Sequence, residues 1–176
     1  FPPILRGIER VLVPRGYTAI IANTDNRQER ELAALAELAA RRVDGVVVAS
    51  ARWDDDVAAR CRRFGLPAVM VNRRPRDGRV SAVVTDDEDG AAQAVAHLVR
   101  LGHRAIGHVG GPASLSTGRA RRAGFVAAMR AAGMRGAPIV AAAHYDIASG
   151  AAAARRLLDR HRGLTAIVAA NDLLAL

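Results

Sequence analysis

The side chains best placed for chemistry come directly after short apolar runs. They are Asn23-Thr24-Asp25, Ser50, Asn72-Arg73, Asp86, the loop Gly111 to Arg121, His144-Tyr145 and Asn171-Asp172. In an open parallel sheet a ligand sits outside the carboxyl ends of the strands, so residues in these positions meet it first. Taken singly, Asn, Asp and Ser at such points also cap helices and turn corners. Arg121 is distinctive because a guanidinium early in a helix offers a fixed fork of donors, suited to ring oxygens, hydroxyls or a carboxylate. The segment before it, Gly107-His108-Val109-Gly110-Gly111-Pro112, is glycine-rich. It has neither the G-x-G-x-x-G spacing nor the lysine and hydroxyl of a nucleoside-triphosphate loop.

Turnover would need an activated nucleophile or a pair of tuned acids, and the candidates fail on placement. Ser114 and Ser116 have no motif that supplies a histidine, and the five histidines show no H-E-x-x-H or related spacing. No metal and no cofactor is expected. His103 and His108, five residues apart across a turn and a strand, should point in different directions and stabilise turns. The acids Asp86 to Asp89 read as a helix start, where negative charge is favoured, with a cation site as the alternative. Asp86 alone keeps a hinge or cleft role. Asp54-Asp55-Asp56 read likewise as a helix start, and Trp53 beside them as a surface or interface residue. Cys61 is the one cysteine, which excludes an internal disulfide and a cysteine-built metal site and fits a reducing compartment.

The elements that must position these residues alternate. Continuous apolar runs at Tyr17 to Ala22, Gly45 to Ala49, Ala68 to Val71, Ala82 to Thr85, Ala105 to Gly110, Pro138 to Ala142 and Ala166 to Ala170 read as buried parallel strands. Between them, 4–13, 29–41, 55–64, 90–101, 119–132 and 149–160 carry apolar residues at three- and four-residue spacing, with arginines opposite, and predict helices. Gly16, Gly65, Gly102 and Gly133 stand where a left-handed helix end is expected. The class is α/β. The alternation breaks at a helix-less strand near Thr85, which divides the chain into lobes 1–85 and 86–176. A chain that opens in a helix and closes as a helix should begin after Asn171-Asp172 reads as a fragment of a longer repeat.

At 176 residues, with 51% hydrophobic and 24% charged residues, the chain can bury one good core or two small ones, and its balance excludes intrinsic disorder. No apolar run approaches the roughly 18 residues of a membrane helix, and no membrane partner is expected. The net charge of +9 comes from 26 basic residues that are all arginine, a codon-usage signature. It is spread evenly, with 15 arginines against 10 acids through Thr85 and 11 against 7 afterwards. Aromatics make up only 3% and do not interleave with the arginines, which argues against direct nucleic-acid contact by this segment.

Several stretches, in this order and spacing, resemble the effector-binding core of the LacI family of bacterial transcription regulators, related to periplasmic sugar-binding proteins. They are Arg15-Gly16-Tyr17, Val43-Asp44-Gly45-Val46-Val47, Pro67-Ala68-Val69, Val84-Thr85-Asp86 with Gly90, Gly102-His103-Arg104 to Gly110-Gly111, Arg121-Arg122-Ala123-Gly124-Phe125, and Ala170 to Ala175. The resemblance covers nearly the whole chain. It implies two Rossmann-like lobes of the type I periplasmic-binding-protein plan, with parallel sheets flanked by helices and a small ligand, typically a sugar, clasped between them. Arg121 would be the main donor to that ligand, Asn171 and Asp172 would bind its hydroxyls, and Tyr145 would be the stacking platform. Asn72 or Arg73 and Ser50 would contribute from the first lobe, with Phe1 near the mouth. These residue types suit a sugar cleft, which needs planar polar groups for hydroxyls and an aromatic face for the ring.

The family often places an acid where this chain has Asn72, so the first-lobe contact becomes a neutral amide. The expected opening strand and helix-turn-helix module would precede Phe1, and the closing strands would follow Leu176. The resemblance further implies a cytoplasmic regulator whose effector shifts an equilibrium between lobe arrangements that differ in affinity for operator DNA. It also implies a homodimer, since paired readers match palindromic half-sites. By analogy, the helix 29–41 and the Trp53 region belong to the dimer surface. A periplasmic sugar-binding protein of a transporter shares fold and cleft and is the first alternative. An α/β enzyme is the second.

Overall fold

The computed structural model describes residues 2–176. Phe1, which the resemblance puts near the mouth of the cleft, lies outside them. The chain divides into two compact units, Phe1–Arg42 and Val43–Leu176. The first holds α1 (Pro2–Leu12), a 3-10 turn at Val13–Arg15 and α2 (Gln28–Ala40). Gly16 closes the turn in the left-handed region, at φ 77°, and its N–H donates to the Val13 carbonyl. The expected strand at 17–22 does not form. A strand exists through its ladder, and no ladder partner for this run occurs among the described residues. Ile20 and Ile21 accordingly stay more than half exposed.

The second unit carries two three-stranded parallel sheets. Its elements are β1 (Val46–Val48), α3 (Val57–Arg63), β2 (Ala68–Val71), β3 (Ser81–Val83), α4 (Asp87–Arg100) and β4 (Ile106–Gly110). They continue with α5 (Ser116–Ala131), β5 (Ile139–Ala141), α6 (Ile147–Arg160), β6 (Ala166–Ala169) and α7 (Asp172–Ala175). One sheet has the order β1-β2-β3 and the other β5-β4-β6. Six of the seven predicted strands and all the predicted helices are present. Helix α4 starts three residues earlier than its apolar spacing suggests because Asp86 caps it, accepting from the Asp89 N–H at 3.0 Å. That cap assigns the acidic cluster to a helix start. Gly65, Gly102 and Gly133 have positive φ, as their positions after helices require.

In the second sheet the two faces are separated by the period of two. Ile106, Val168 and Ile139 pack with Val95, Phe125 and Met129, while Val109, Ile167 and Val140 pack with Ala153, Leu157 and Leu174. The chain leaves β4 through α5, reaches β5, then crosses back by α6 to β6 on the other side of β4. That reversal at β4 opens a crevice at the carboxyl ends of the strands, where a ligand can enter. Each fully buried Phe125, Ile106 or Leu157 side chain is worth about 1.5–3 kcal/mol of burial. The sheet is therefore a firm base for whatever its loops hold. No helix among the described residues is long and apolar enough to cross a membrane.

Candidate functional site

A stripe of α5 runs from the crevice into the core. Thr117, Arg121, Phe125 and Met129 follow one another at four-residue spacing and so share a helix face. Thr117 Oγ1 lies 3.3 Å from the Tyr145 hydroxyl. Arg121 makes the polar contacts described below, Phe125 stacks on His108, and Met129 joins the hydrophobic core.

Arg121 is gripped from two sides. Its Nε and Nη2 edge lies against Oδ1 of Asp87, both at 2.8 Å, and Nη1 donates to the Ala170 carbonyl at 2.7 Å. Asp87 sits in the first turn of α4 with its side chain only 8% exposed. Three of the guanidinium's N–H groups are thereby oriented, and the fork keeps donors for a further acceptor. The guanidinium carbon stands 5.9 Å from the centre of the Tyr145 ring. Tyr145 in turn lies over Gly111, where a Cβ would come within 2.1 Å of its hydroxyl. Glycine at 111 is what lets the Tyr145 ring settle there.

Asn171 and Asp172 stand where β6 passes into α7. The Asn171 side chain accepts from the Leu174 N–H at 3.1 Å and caps the helix, which orients its amide. Asp172 is the first residue of α7 and is exposed. At the first sheet, Ser50 follows β1 and Asn72 follows β2. Asn72 adopts φ 65°, a region asparagine tolerates, and its N–H donates to Val83. Burial holds the Arg73 guanidinium below its ordinary value, opposed by Tyr145 and reinforced by Arg52.

The loops of the two sheets are tied together. The Arg74 N–H donates to Ser116 Oγ at 3.1 Å and the Trp53 N–H to the Ser114 carbonyl at 2.8 Å. Arg119 stacks over the Trp53 ring at 5.0 Å. Trp53, expected as a surface or interface residue, is thus half-buried against the loop after β4. Its own loop is held by Asp55, which accepts from the Val57 N–H and from the buried Arg60. Ser116 serves as an anchor for this junction. Among the described residues, no three His, Cys, Asp or Glu side chains gather as a metal site would need.

Two residues of this site escape a reading by sequence, Asp87 and His108, while Thr117 falls inside the candidate loop 111–121. Asp87 belongs to the acidic cluster, and Asp86, given the hinge or cleft role by its position after β3, is the cap instead. His108 is not a turn residue. It lies in the middle of β4, fully buried, with its ring 4.7 Å from that of Phe125 at an interplanar angle of 15°. Its Nδ1 is 2.8 Å from the Val168 carbonyl, which can only accept, so Nδ1 carries the hydrogen. His103, by contrast, does brace a turn, with Nδ1 2.9 Å from Thr165 Oγ1.

Burial pushes the His108 pKa below its ordinary 6.5, the Val168 bond opposing and Arg122 adding to the shift. A histidine whose folded pKa is depressed is protonated first in the unfolded chain as pH falls. Its contribution to stability is present above about 6.5 and is lost as pH descends through the lower folded value. Urea unfolding at pH 7.5 and 5.5 should therefore show lower stability at the acid value, and His108→Phe should shrink the difference. An undiminished difference in the variant would assign it to other groups.

Comparison with known proteins places this geometry. The "HTH-type transcriptional repressor PurR" of Escherichia coli O1:K1 is 28% identical over 179 residues, covering all of this chain and 52% of the repressor. The chain spans about half the length of the curated relatives it matches. Among solved structures, the "transcriptional regulator CelR-cellobiose complex" is similar with a TM-score of 0.77 and 32% identity, covering 84% of this chain and 46% of that one. The Cra transcriptional dual regulator from Pseudomonas putida, in complex with fructose 1-phosphate, superposes with a TM-score of 0.83 at 27% identity over 98% of this chain and 64% of that one. The family described as "Periplasmic binding proteins and sugar binding domain of LacI family" matches residues 1–176 from end to end. With that match along the whole chain, the chain belongs to this family.

Proposed function

We propose that this chain is the effector-sensing core of a cytoplasmic, homodimeric transcription regulator of the LacI type. It binds a sugar or sugar phosphate and carries no catalytic activity of its own. The observation that carries this reading is the set Arg121, Asp87 and Tyr145 at the carboxyl ends of β4 and β6. It is a charged fork held in a fixed orientation beside an aromatic face, the pair of surfaces a polyhydroxy ring needs. Asn171 and Asp172 supply hydroxyl partners at the next strand end, and Ser50, Asn72 and Arg73 complete the site from the lobe 1–85 against the lobe 86–176. The cellobiose and fructose 1-phosphate complexes of the relatives favour the same ligand class. Sugar binding then biases a helix-turn-helix domain outside this segment by its differential affinity for two lobe arrangements.

The test is isothermal calorimetry of the full-length protein with ribose, glucose, galactose, cellobiose and fructose 1-phosphate, followed by operator selection with and without the sugar that binds. Saturable binding by one of the five and a sugar-dependent change in DNA affinity are expected. Absence of binding to all five overturns the ligand class. Binding that leaves DNA affinity unchanged removes the regulator. Tyr145→Ala should weaken the bound sugar by about 1–3 kcal/mol, the scale of an aromatic cover. Gly111→Ala should do the same without loss of thermal stability, since the new methyl displaces only the tip of the Tyr145 ring. Unchanged affinity in both would move the platform to another residue.

A further inference from the structure

The two sheets of the second unit are joined more loosely than either is held internally. Among the described residues, no strand of one pairs with a strand of the other, and the hydrophobic clusters around Phe125 and Leu157 draw no side chain from the first sheet. What ties their carboxyl ends together is polar, and Trp53 stands at its centre. Its N–H donates to the Ser114 carbonyl in the loop after β4, and its own carbonyl accepts from the Arg76 N–H in the loop after β2, both at 2.8 Å. Its ring lies under the Arg119 guanidinium, 5.0 Å from the ring centre, and Nε of Arg119 is steered by the Ala113 carbonyl at 2.7 Å. The Arg74 N–H adds its bond to Ser116 Oγ at 3.1 Å. Such a joint opens at little cost, because water replaces each hydrogen bond and an exposed cation over a ring is a weak contact. The tryptophan is nonetheless presented rigidly. Asp55, two residues on, accepts from the N–H groups of Arg52 at 3.3 Å and Val57 at 3.1 Å, and pairs at 2.6 Å with Arg60, both side chains of the pair being less than a tenth exposed. Two charges buried together add little net stability, and what this pair secures is the course of the loop.

We propose that Trp53 and Arg119 form a clasp that holds the strand-end loops of the two sheets at the spacing the sugar needs. Both are then positioning residues, acting through Ser50, Asn72 and Arg73 on one side and Arg121 and Tyr145 on the other. The joint lies between these two sets. Trp53 follows Ser50 by three residues and Arg74 adjoins Arg73, while Ser116 precedes Thr117, whose hydroxyl meets that of Tyr145, and Arg119 precedes Arg121 by two. This rests on the sugar-site reading above and adds to it the contact that sets how often the site is assembled. A ligand that binds the assembled arrangement has an apparent affinity that scales with the fraction of molecules holding it. A weaker clasp therefore lowers affinity with every ligand contact still in place.

In the full-length protein, Arg119→Ala and Trp53→Ala should each weaken whichever of ribose, glucose, galactose, cellobiose or fructose 1-phosphate binds best by about two- to fivefold, the scale of one exposed cation–π contact. The double variant should bind no more weakly than Trp53→Ala alone, because its second change removes a contact already lost. Fluorescence reads the same joint directly, through the emission that Trp53→Phe removes. In sugar-free Arg119→Ala that emission should move to longer wavelength, as water replaces the guanidinium over the ring, and saturating sugar should move it back toward the wild-type value. A merely structural role in the loop gives no such response to sugar. Should Trp53→Ala fail to fold, Arg119→Ala, a change at an exposed side chain, decides alone. Wild-type affinity in Arg119→Ala, additive losses in the double variant, or emission that sugar leaves unmoved overturns the clasp, and the sugar site still stands if Arg121→Ala abolishes binding. No binding to any of the five, or undiminished binding in Arg121→Ala, overturns the site itself and the clasp with it.

Discussion

Arg121→Ala is expected to lower sugar affinity by at least about 100-fold, because charge-assisted hydrogen bonds are worth about 1.5–3 kcal/mol each and the fork makes more than one. The same substitution touches the fold. Asp87, with its side chain 8% exposed, loses the partner that both Nε and Nη2 provide, and the Ala170 carbonyl loses its donor. A carboxylate left with only the Thr85 hydroxyl, 3.3 Å away, in such surroundings costs about 1–3 kcal/mol. A drop in melting temperature should therefore accompany the loss of binding. The two effects separate in the double variant Asp87→Ala/Arg121→Ala, which removes the orphaned charge. Its stability should recover in part while its affinity does not, and calorimetric titration beside thermal denaturation would read both. Recovery of affinity along with stability would show that Arg121 serves the fold alone.

Gly124→Ala should be the most destabilising single methyl in the chain. A Cβ there would lie 2.0 Å from the Glu88 carbonyl oxygen and 2.7 Å from the Glu88 Cα, and both are backbone atoms that cannot rotate away. Helices α4 and α5 would have to separate, opening the core they share at Val95, Phe125 and Met129. A loss of about 3 kcal/mol follows from overpacking of this kind, or roughly 6–12 °C in melting temperature for a chain of this size. Because Glu88 adjoins Asp87, the displacement also pulls Asp87 away from Arg121, so sugar affinity should fall with stability. A melting temperature within 2 °C of wild type, a shift worth less than about 1 kcal/mol, would show that the helices do not approach so closely.

Both predictions concern the meeting of α4 and α5, and that is where reading by sequence stops. The order of strands and helices was legible in apolar runs, four-residue spacing and helix-ending glycines, since these are local properties of the chain. The placement of Ser50, Asn72, Arg121, Tyr145, Asn171 and Asp172 at carboxyl ends followed from the same alternation. The strand expected at 17–22 was not decided locally, because a strand needs a ladder partner that its own residues do not specify. Asp87 shows the other limit. Four consecutive acids satisfy a helix start equally well, and only the approach of α5 over Gly124 selects the second of them for Arg121. Local sequence makes His108 a turn residue, whereas β4 places it against Phe125 and against Val168, sixty residues away in sequence.

The sequence by itself determined the α/β class, the alternation of strands and helices and the set of side chains available to the site, because periodicity and turn chemistry act within a few residues. Tertiary structure decided which carboxylate orients the fork, which glycines make room for the tyrosine and the paired helices, and which histidine is a buried acceptor. Each of these depends on the distance between atoms far apart in the chain, and packing alone sets that distance.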